Sequence, residues 1–431
     1  MIELFALMLA LLAVLLYELK RRVPIWALSP VWLVIGGHLA MGLAGRCMLR
    51  YARAWADQEF LFVTFSRSAL DRTLLWFLFA TVSFSSGALL SIWASQRPDL
   101  PVEFTSDVER RGGGGGLLLA ACVTLALFVI GAGPENVLNR GAAYQTGGGT
   151  VAKILGAVFT PLAVGLCGYM ALSFERKLVR FGGMLVAVGY FLLTFSLATR
   201  FMALVPLFFA LGAFCARPGR ANVRLMFYAS LAAVPVLLPI PLVLRNQVQQ
   251  GLIPFASELK TGTVLLAHGS MTRTVLGNLL LSFPLTTFVG YGRPLGTSVL
   301  LTSVSPMPGR LTDWYKLEPT LFASFSTPYN ATGMLMNYGL LVSGGFYMTV
   351  GFYLSHADWR IRRSFSGGQA FKALLLFGLS SMFLLTALMY PLRAACRPIY
   401  YAIAFEAVTA LVFPDFSGRP QLARPPGNCL S

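Results

Sequence analysis

Charged side chains are scarce in this chain. They make up 12% of its 431 residues, whereas hydrophobic residues make up 56% and the mean hydropathy is +0.69. A soluble protein of this size cannot bury so much apolar surface. Apolar runs of about 17–25 residues are instead long enough to cross a bilayer as helices. The sequence therefore predicts an all-α polytopic membrane protein.

Acidic residues are half as numerous as basic ones. The chain has 17 Asp and Glu against 34 Lys and Arg, so its formal net charge is +17. In a soluble protein this excess would point to a nucleic-acid partner. Here the basic residues cluster in short segments between apolar runs, as they do in the cytoplasmic loops of membrane proteins. We therefore expect no nucleic-acid partner.

Histidine and cysteine are also rare, with three and six residues. The sequence contains no CxxC pair, no His/Cys/Asp cluster with metal-ligand spacing and no GxSxG nucleophile motif. We therefore expect no metal, no cofactor and no disulfide framework. His38 lies inside an apolar run, where we expect it to pack as a core residue.

The apolar runs predict about eleven membrane-spanning helices in a single integral membrane domain over residues 1–431. One large hydrophilic excursion, residues 245–331, separates the eighth and ninth spans. Within it, the apolar stretch 275–291 is broken by Asn278 and Pro284, which favours a re-entrant or interfacial segment. The predicted spans are residues 4–17, 24–44, 73–94, 117–133, 151–174, 181–197, 201–216, 225–244, 332–354, 373–392 and 400–413.

Groups of three basic residues decide the predicted orientation. Such groups follow spans one, three, five, seven and nine, and the first consists of Lys20, Arg21 and Arg22. These loops are predicted to be cytoplasmic. The N-terminus and residues 245–331 are then external, and the C-terminus is cytoplasmic. Residues 45–72 disagree, because they should lie outside although they contain five arginines.

Several arginines on the predicted external side are candidate binding residues. Arg200 stands in a tight turn between two spans, Arg245 ends the eighth span, and Arg293 lies in the loop sequence GYGRP. A lone arginine at a helix end often only anchors the helix at the interface, and loop charges often only face solvent. If the three converge, their planar forks of donors suit the oxygens of a lipid-linked diphosphate.

Three side chains of the external loop are candidate general bases. They are His268, Asp313 and Glu318, and a solvent-facing role fits each of them at least as well. Other carboxylates compete for a chemical role. Glu406 lies within the last apolar run and is either functional or paired with Arg393 or Arg397. Asp57 and Glu59 form an acid-x-acid pair of the kind that holds a metal or acts as a base in membrane glycosyltransferases, or they pair with the neighbouring Arg53 and Arg67.

This arrangement resembles the Wzy-type O-antigen and capsular repeat-unit polymerases. The similarity rests on an arginine turn between two mid-chain helices, a helix that ends in arginine and a large external loop. It continues through SVSPMPGR (303–310) and TPYNATGMLMNYGLLVSGG (327–345), where a Pro-rich stretch leads to Asn337, Tyr338 and Gly339. The resemblance covers residues 180–355 and the general helix count.

The resemblance implies a metal-independent type C glycosyltransferase in a bacterial inner membrane. Such an enzyme moves a glycan from undecaprenyl diphosphate onto the sugar hydroxyl of another lipid-linked repeat unit, surrounded by membrane lipid and partnered by a chain-length regulator protein. Arg200 and Arg245 match the family's arginine positions and would hold the diphosphate, with Arg293 as a third contact.

Three alternatives remain open on sequence grounds. A lipid-linked oligosaccharide flippase or other transporter would need a charged, hydrated path, whereas the predicted spans are almost free of charge. An O-antigen ligase carries a characteristic polar run after a loop histidine, and Gly-Ser-Met after His268 matches it poorly. A metal-dependent glycosyltransferase would use Asp57 and Glu59.

Overall fold

The computed structural model is an all-α structure. About 85% of the residues that it describes are helical. This confirms the predicted all-α class. The described residues are 2–25, 28–52, 65–95, 114–140, 159–199, 201–217, 220–237, 239–244, 249–261, 281–324, 327–366 and 369–412.

The helices form two compact units. Unit 1 comprises Met1–Val102 and Leu280–Ser431, and unit 2 comprises Glu103–Leu279. The first segment of unit 1 contains α1 (Ile2–Arg22), α2 (Pro30–Ala52) and α3 (Arg67–Ser95). Unit 2 contains α4 (Gly114–Ala132), α5 (Pro134–Leu138), α6 (Thr160–Ser173), α7 (Lys177–Ser196), α8 (Phe201–Ala216), α9 (Ala221–Leu237), α10 (Pro239–Leu244) and α11 (Leu252–Thr261).

The second segment of unit 1 combines short elements with three long helices. The short elements are α12 (Ser282–Gly290), α13 (Thr297–Val304), the 3-10 turn Gly309–Leu311, α14 (Trp314–Leu317), the 3-10 turn Glu318–Thr320, the antiparallel pair β1 (Phe322–Ser324) and β2 (Thr327–Pro328), and α15 (Ala331–Asn337). The long helices are α16 (Leu340–Ser366), α17 (Ala370–Met389) and α18 (Leu392–Val412).

Close contact between α3 and α16 forms the centre of unit 1. A Cβ atom on Gly87 would collide with the carbonyl oxygen of Met348, and one on Gly351 would collide with that of Phe84. Small residues that allow helices to approach closely are a common means of packing in membranes, where lipid is as apolar as the protein. Glycine at these two positions therefore sets the distance between the two helices.

His38 packs in this core as the sequence predicts. Its side chain is fully buried. The ring meets Tyr347 edge-on at a centroid distance of 5.3 Å and Phe77 at 6.2 Å. The surrounding cluster includes side chains from α1 to α3 and from α12 to α18.

Several helices have the length and composition of membrane spans. Among the described residues, four helices qualify on both counts: Arg67–Ser95, Gly114–Ala132, Lys177–Ser196 and Lys372–Met389. Shorter apolar helices are Thr160–Ser173, Phe201–Ala216 and Ala221–Val234. The apolar helices agree with a membrane-embedded protein. The number of eleven spans, the single domain and the orientation stay predictions.

The predicted ninth span, residues 332–354, is wrong in its bounds. A break at Tyr338 and Gly339 separates α15 from α16, and Gly339 has φ +87°, a left-handed conformation that favours glycine. Beyond it, α16 continues to Ser366, because residues 352–366 contain neither glycine nor proline to stop it. The basic residues that follow the predicted span, Arg360, Arg362 and Arg363, therefore lie within a helix and not on a loop.

The stretch 275–291 is described from residue 281 onward. Its described part is the nine-residue α12. Most of its side chains are buried in unit 1 against α2, α3 and α15. A helix of this length is too short to cross a bilayer.

Candidate functional site

The turn before Arg200 contains a strained residue. Arg200 itself lies outside the described residues. Ala198 has φ +48°, and its N–H donates to the carbonyl of Phe195 at 2.9 Å, while the N–H of Thr199 donates to the carbonyl of Thr194 at 3.0 Å. A left-handed alanine costs roughly 1–2 kcal/mol, so the surrounding packing must stabilise it. Such strained residues concentrate at functional sites.

One buried apolar cluster of unit 2 joins the neighbours of Arg200 to those of Arg245. Arg245 also lies outside the described residues. Ala198 and Met202 flank position 200, Leu244 precedes position 245, and all three belong to the cluster. The chain segments that carry the two predicted diphosphate-binding arginines are therefore packed against each other. The remaining buried members are Phe195 and Phe255.

Arg140 of unit 2 is a further arginine with specific contacts, and it is not among the residues that the sequence singled out. Its backbone pairs with Gln250 through two hydrogen bonds of 2.8 and 2.9 Å, and its Nη2 donates to the side-chain oxygen of Gln250 at 3.1 Å. The side chain is only 8% exposed. Arg140 thus ties the segment after Arg245 to α5. Its signal in the sequence was an arginine on a predicted external loop, where the positive-inside rule expects few.

In unit 1, Arg293 lies in an exposed turn whose backbone is hydrogen-bonded by the side chain of Asn337. The Nδ2 group of Asn337 donates to the carbonyls of Val289 at 3.0 Å and Arg293 at 3.2 Å, and its Oδ1 accepts from the N–H of Leu295 at 2.9 Å. The Tyr338 hydroxyl donates to another carbonyl of the same turn. Two residues of the motif that carries the family resemblance therefore fix the backbone of a predicted binding residue.

A second amide, that of Asn330, fixes the beginning of α12. Asn330 is fully buried, and its Oδ1 caps the N-terminus of α15. Its Nδ2 donates to the carbonyl of Ser282 at 3.1 Å, to the hydroxyl of Thr286 at 2.8 Å and to the carbonyl of Leu388 at 3.2 Å. Because Asn337 binds the other end of α12, the helix that leads into the Arg293 turn is fixed at both ends.

Two arginines of residues 45–72, Arg46 and Arg72, lie at this same end of unit 1. The guanidinium of Arg46 is 2.7 Å from a carboxylate oxygen of Asp71, and Arg72 hydrogen-bonds the hydroxyl of Tyr291. Burial raises the pKa of Tyr291, and the charge of Arg72 opposes this by lowering the pKa. These contacts bring the stretch that disagreed with the predicted orientation next to the loop that is predicted to be external.

The two described candidate bases differ in their surroundings. Asp313 is 73% exposed, and its Oδ1 is 2.8 Å from Nζ of Lys316. Glu318 is half-buried at the start of a 3-10 turn, and the described residues contain no ion-pair partner for it. The carboxylate of Glu318 is therefore the more available of the two. The remaining candidates His268, Asp57 and Glu59 lie outside the described residues.

Glu406 does not pair with Arg393 or Arg397. All three lie on α18, and nine or more residues of helix separate Glu406 from the two arginines, roughly 13 Å or more along the axis. Its Oε2 lies 3.8 Å from Nε2 of His356 instead. The guanidinium of Arg393 donates to the backbone carbonyls of Thr302 and Met307.

Comparison with protein-family models, with curated proteins and with solved structures gave no match for this chain. Within the described part of the chain, no three His, Cys, Asp or Glu side chains are grouped to hold a metal ion.

Proposed function

We propose that this protein is a membrane-embedded glycosyltransferase that polymerises lipid-linked oligosaccharide repeat units. The glycan leaves undecaprenyl diphosphate and joins the sugar hydroxyl of another lipid-linked unit at the outer face of a bacterial inner membrane. The buried cluster of unit 2 supports this most directly, because it packs the segments of Arg200 and Arg245 together. The sequence resemblance predicts that these two arginines bind the same diphosphate. Their described neighbours Ala198, Met202 and Leu244 belong to one buried cluster.

The leaving group explains the need for two arginines. The acceptor oxygen attacks the anomeric carbon of the donor sugar, and the bond from that carbon to the diphosphate oxygen breaks with its electron pair on the oxygen. Negative charge on the diphosphate therefore grows toward the transition state. Guanidinium groups held in place bind phosphate oxygens through paired donors and stabilise this charge most as the bond breaks.

A proton must leave the acceptor hydroxyl during the same step. We assign its acceptance to Glu318, because Lys316 already occupies the carboxylate of Asp313. The carboxylate of Glu318 can approach the hydroxyl without first leaving an ion pair with a described residue. His268 is the remaining candidate for this role.

Arg293 is proposed as a further contact for a phosphate group. Its turn is held by hydrogen bonds from Asn337 and Tyr338, so the backbone that carries the guanidinium is fixed before any substrate binds. A preorganised donor loses less entropy on binding and stabilises charge more effectively.

The surface glycan of a strain that lacks this gene tests the proposal. On a gel, we expect the ladder of repeat lengths to disappear while a single repeat unit remains. Loss of every repeat unit would instead favour a flippase or an earlier glycosyltransferase. An unchanged ladder would exclude a role in polymerisation.

A reconstituted assay separates the proposal from the metal-dependent alternative. Purified protein, lipid-linked repeat units and a chelator such as EDTA should still give polymer, because arginines supply the positive charge. Loss of polymer with EDTA and recovery with a divalent cation would instead favour a metal held by Asp57 and Glu59.

A further inference from the structure

A group of cations lies at the end of unit 1 opposite to the Arg293 turn. Helix α16 begins directly after Asn337 and Tyr338 and is 27 residues long, which is roughly 40 Å. Near its far end, His356, Trp359, Arg360 and Arg363 share one face, because residues three and four positions apart are neighbours on a helix. All four side chains are half-buried.

Two of these cations lie against the same indole ring. The Cζ atom of Arg360 is 5.7 Å from the ring centroid of Trp359, and that of Arg363 is 5.3 Å from it. Contact between a guanidinium and an aromatic face stabilises the cation by about 0.5–1 kcal/mol at an exposed site. The indole therefore holds the two guanidinium groups close to each other.

Neighbouring helices complete this group, which we call the Arg360 cluster. Lys372 of α17 interacts electrostatically with Arg360, Arg363 and Glu406 of α18. Nε2 of His356 accepts a hydrogen bond from Nε of Arg360 at 3.3 Å and lies 3.8 Å from Oε2 of Glu406. The cluster thus joins three helices through charged side chains.

Positive charge exceeds negative charge in the cluster. Its described members are three basic side chains, one carboxylate and one histidine. Asp358 and Arg362 of the same helix pair with each other at 3.0 Å and leave this balance unchanged. Like charges in a half-buried group repel each other, and a bound anion would offset the repulsion.

The surface beside the cluster is apolar and exposed. Met348 and Phe352 precede His356 on the same side of α16 and are 39% and 44% exposed. On α18, Ile403 lies one turn before Glu406 and is 44% exposed. An anion that binds here therefore has hydrocarbon contacts next to its charged contacts, which fits an amphipathic ligand and not a soluble one.

We propose that the Arg360 cluster binds the headgroup of an anionic phospholipid, with the acyl chains along the exposed apolar residues of α16 and α18. The guanidinium groups and the ammonium donate to the phosphate oxygens, and the indole lies at the level of the headgroups. The predicted orientation places the cluster at the cytoplasmic leaflet, whose negative surface attracts basic side chains near it. This inference does not depend on the proposed polymerase activity.

Binding of short-chain lipids to the purified full-length protein tests this site. The probes are dioctanoyl phosphatidylglycerol, dioctanoyl phosphatidylcholine and inorganic phosphate, and native mass spectrometry reports the bound fraction. Each basic side chain near a membrane surface contributes about fivefold in affinity, so the triple variant Arg360→Gln, Arg363→Gln, Lys372→Gln should bind phosphatidylglycerol about a hundredfold more weakly.

The matched control is the triple variant Lys20→Gln, Arg21→Gln, Arg22→Gln. It removes the same charge from the same unit, at three exposed positions that end α1. The control should keep the wild-type affinity for phosphatidylglycerol. An equal loss in both triple variants would show a general effect of net charge and overturn the assignment of the site.

The sign of the charge effect gives a second, independent test. Glu406→Gln preserves the side-chain shape and removes the carboxylate that the described part of the cluster contains, so it should strengthen phosphatidylglycerol binding about fivefold. Unchanged or weaker binding in this variant would overturn the proposal. This test remains valid even where the triple variant fails to fold. Equal binding of phosphatidylcholine, or equal competition by inorganic phosphate, would overturn it as well.

Discussion

The two units stabilise their arginine-bearing segments by different interactions. In unit 2, apolar side chains pack around Ala198 and Leu244, which lie next to the two predicted diphosphate-binding arginines. In unit 1, the amide of Asn337 holds the turn of Arg293 through three hydrogen bonds. Apolar packing depends mainly on side-chain volume, whereas a hydrogen-bonded amide depends on chemical identity. A change in side-chain volume should therefore destabilise the segment in unit 2, whereas a change in chemical identity should destabilise the segment in unit 1.

Arg200→Ala and Arg245→Ala should have the largest effect on function. Each removes a guanidinium from the leaving diphosphate, and we expect polymer formation to fall by about a thousandfold without unfolding of the protein. The measurement is the glycan ladder of a complemented strain, with protein amount determined in parallel. Arg220→Ala, at an exposed position of unit 2, is the control and should restore a full ladder.

Glu318→Gln should have the next largest effect, and it tests chemistry in unit 1. Glutamine keeps the shape of the side chain but cannot accept the proton of the acceptor hydroxyl, which should slow polymerisation by about a hundredfold. Initial rates with purified lipid-linked units measure this. A rate equal to that of the wild type would remove Glu318 from the mechanism and leave His268 as the candidate base.

The sequence predicted the helical architecture better than the tertiary contacts. Long apolar runs determine where helices form, and each of the eleven predicted spans overlaps helical backbone. The break at Tyr338 and Gly339 was missed, because the dip in hydropathy at Asn337 to Gly339 is only three residues long and apolar residues follow it directly. The extension of α16 to Ser366 was missed for the opposite reason, because its last turns are polar but remain helical.

The candidate site was only partly predictable. The turn of Arg200 and the end of the eighth span are visible in the sequence, but their contact depends on apolar side chains that look like any other core residues. The role of Asn337 depends on partners 42 to 48 positions away along the chain. Arg140 was visible as an arginine on a predicted external loop, yet only its contacts with Gln250 show what it does.

Leu244→Ala tests the apolar side of the comparison. Leu244 is fully buried beside Ala198, so truncation should leave a cavity and lower the free energy of unfolding by about 2–5 kcal/mol. Leu244→Met preserves the volume and should cost less than about 1.5 kcal/mol. Thermal denaturation in detergent measures both variants. Equal costs would show that chemical identity, and not volume, matters in this cluster.

Asn337→Ala tests the polar side. The variant loses three hydrogen bonds of a half-buried amide, which should lower stability by about 1–3 kcal/mol and polymerisation more than stability alone explains. In Asn337→Asp, the carboxylate still accepts from the N–H of Leu295. It has no N–H to donate to the carbonyls of Val289 and Arg293. Aspartate should therefore not rescue the loss. Full activity of either variant at normal expression would show that the Arg293 turn needs no such support.

Asp313→Asn should have the smallest effect of the series. Asp313 and Lys316 are 73% and 81% exposed, and an ion pair so open to water contributes little to stability. Since Lys316 occupies this carboxylate, its loss should leave both the melting temperature and the polymerisation rate close to those of the wild type. The comparison with Glu318→Gln in the same rate assay is decisive, because the two carboxylates lie five positions apart in the same loop. A slower Asp313→Asn enzyme beside an unaffected Glu318→Gln enzyme would transfer the proposed proton acceptance from Glu318 to Asp313.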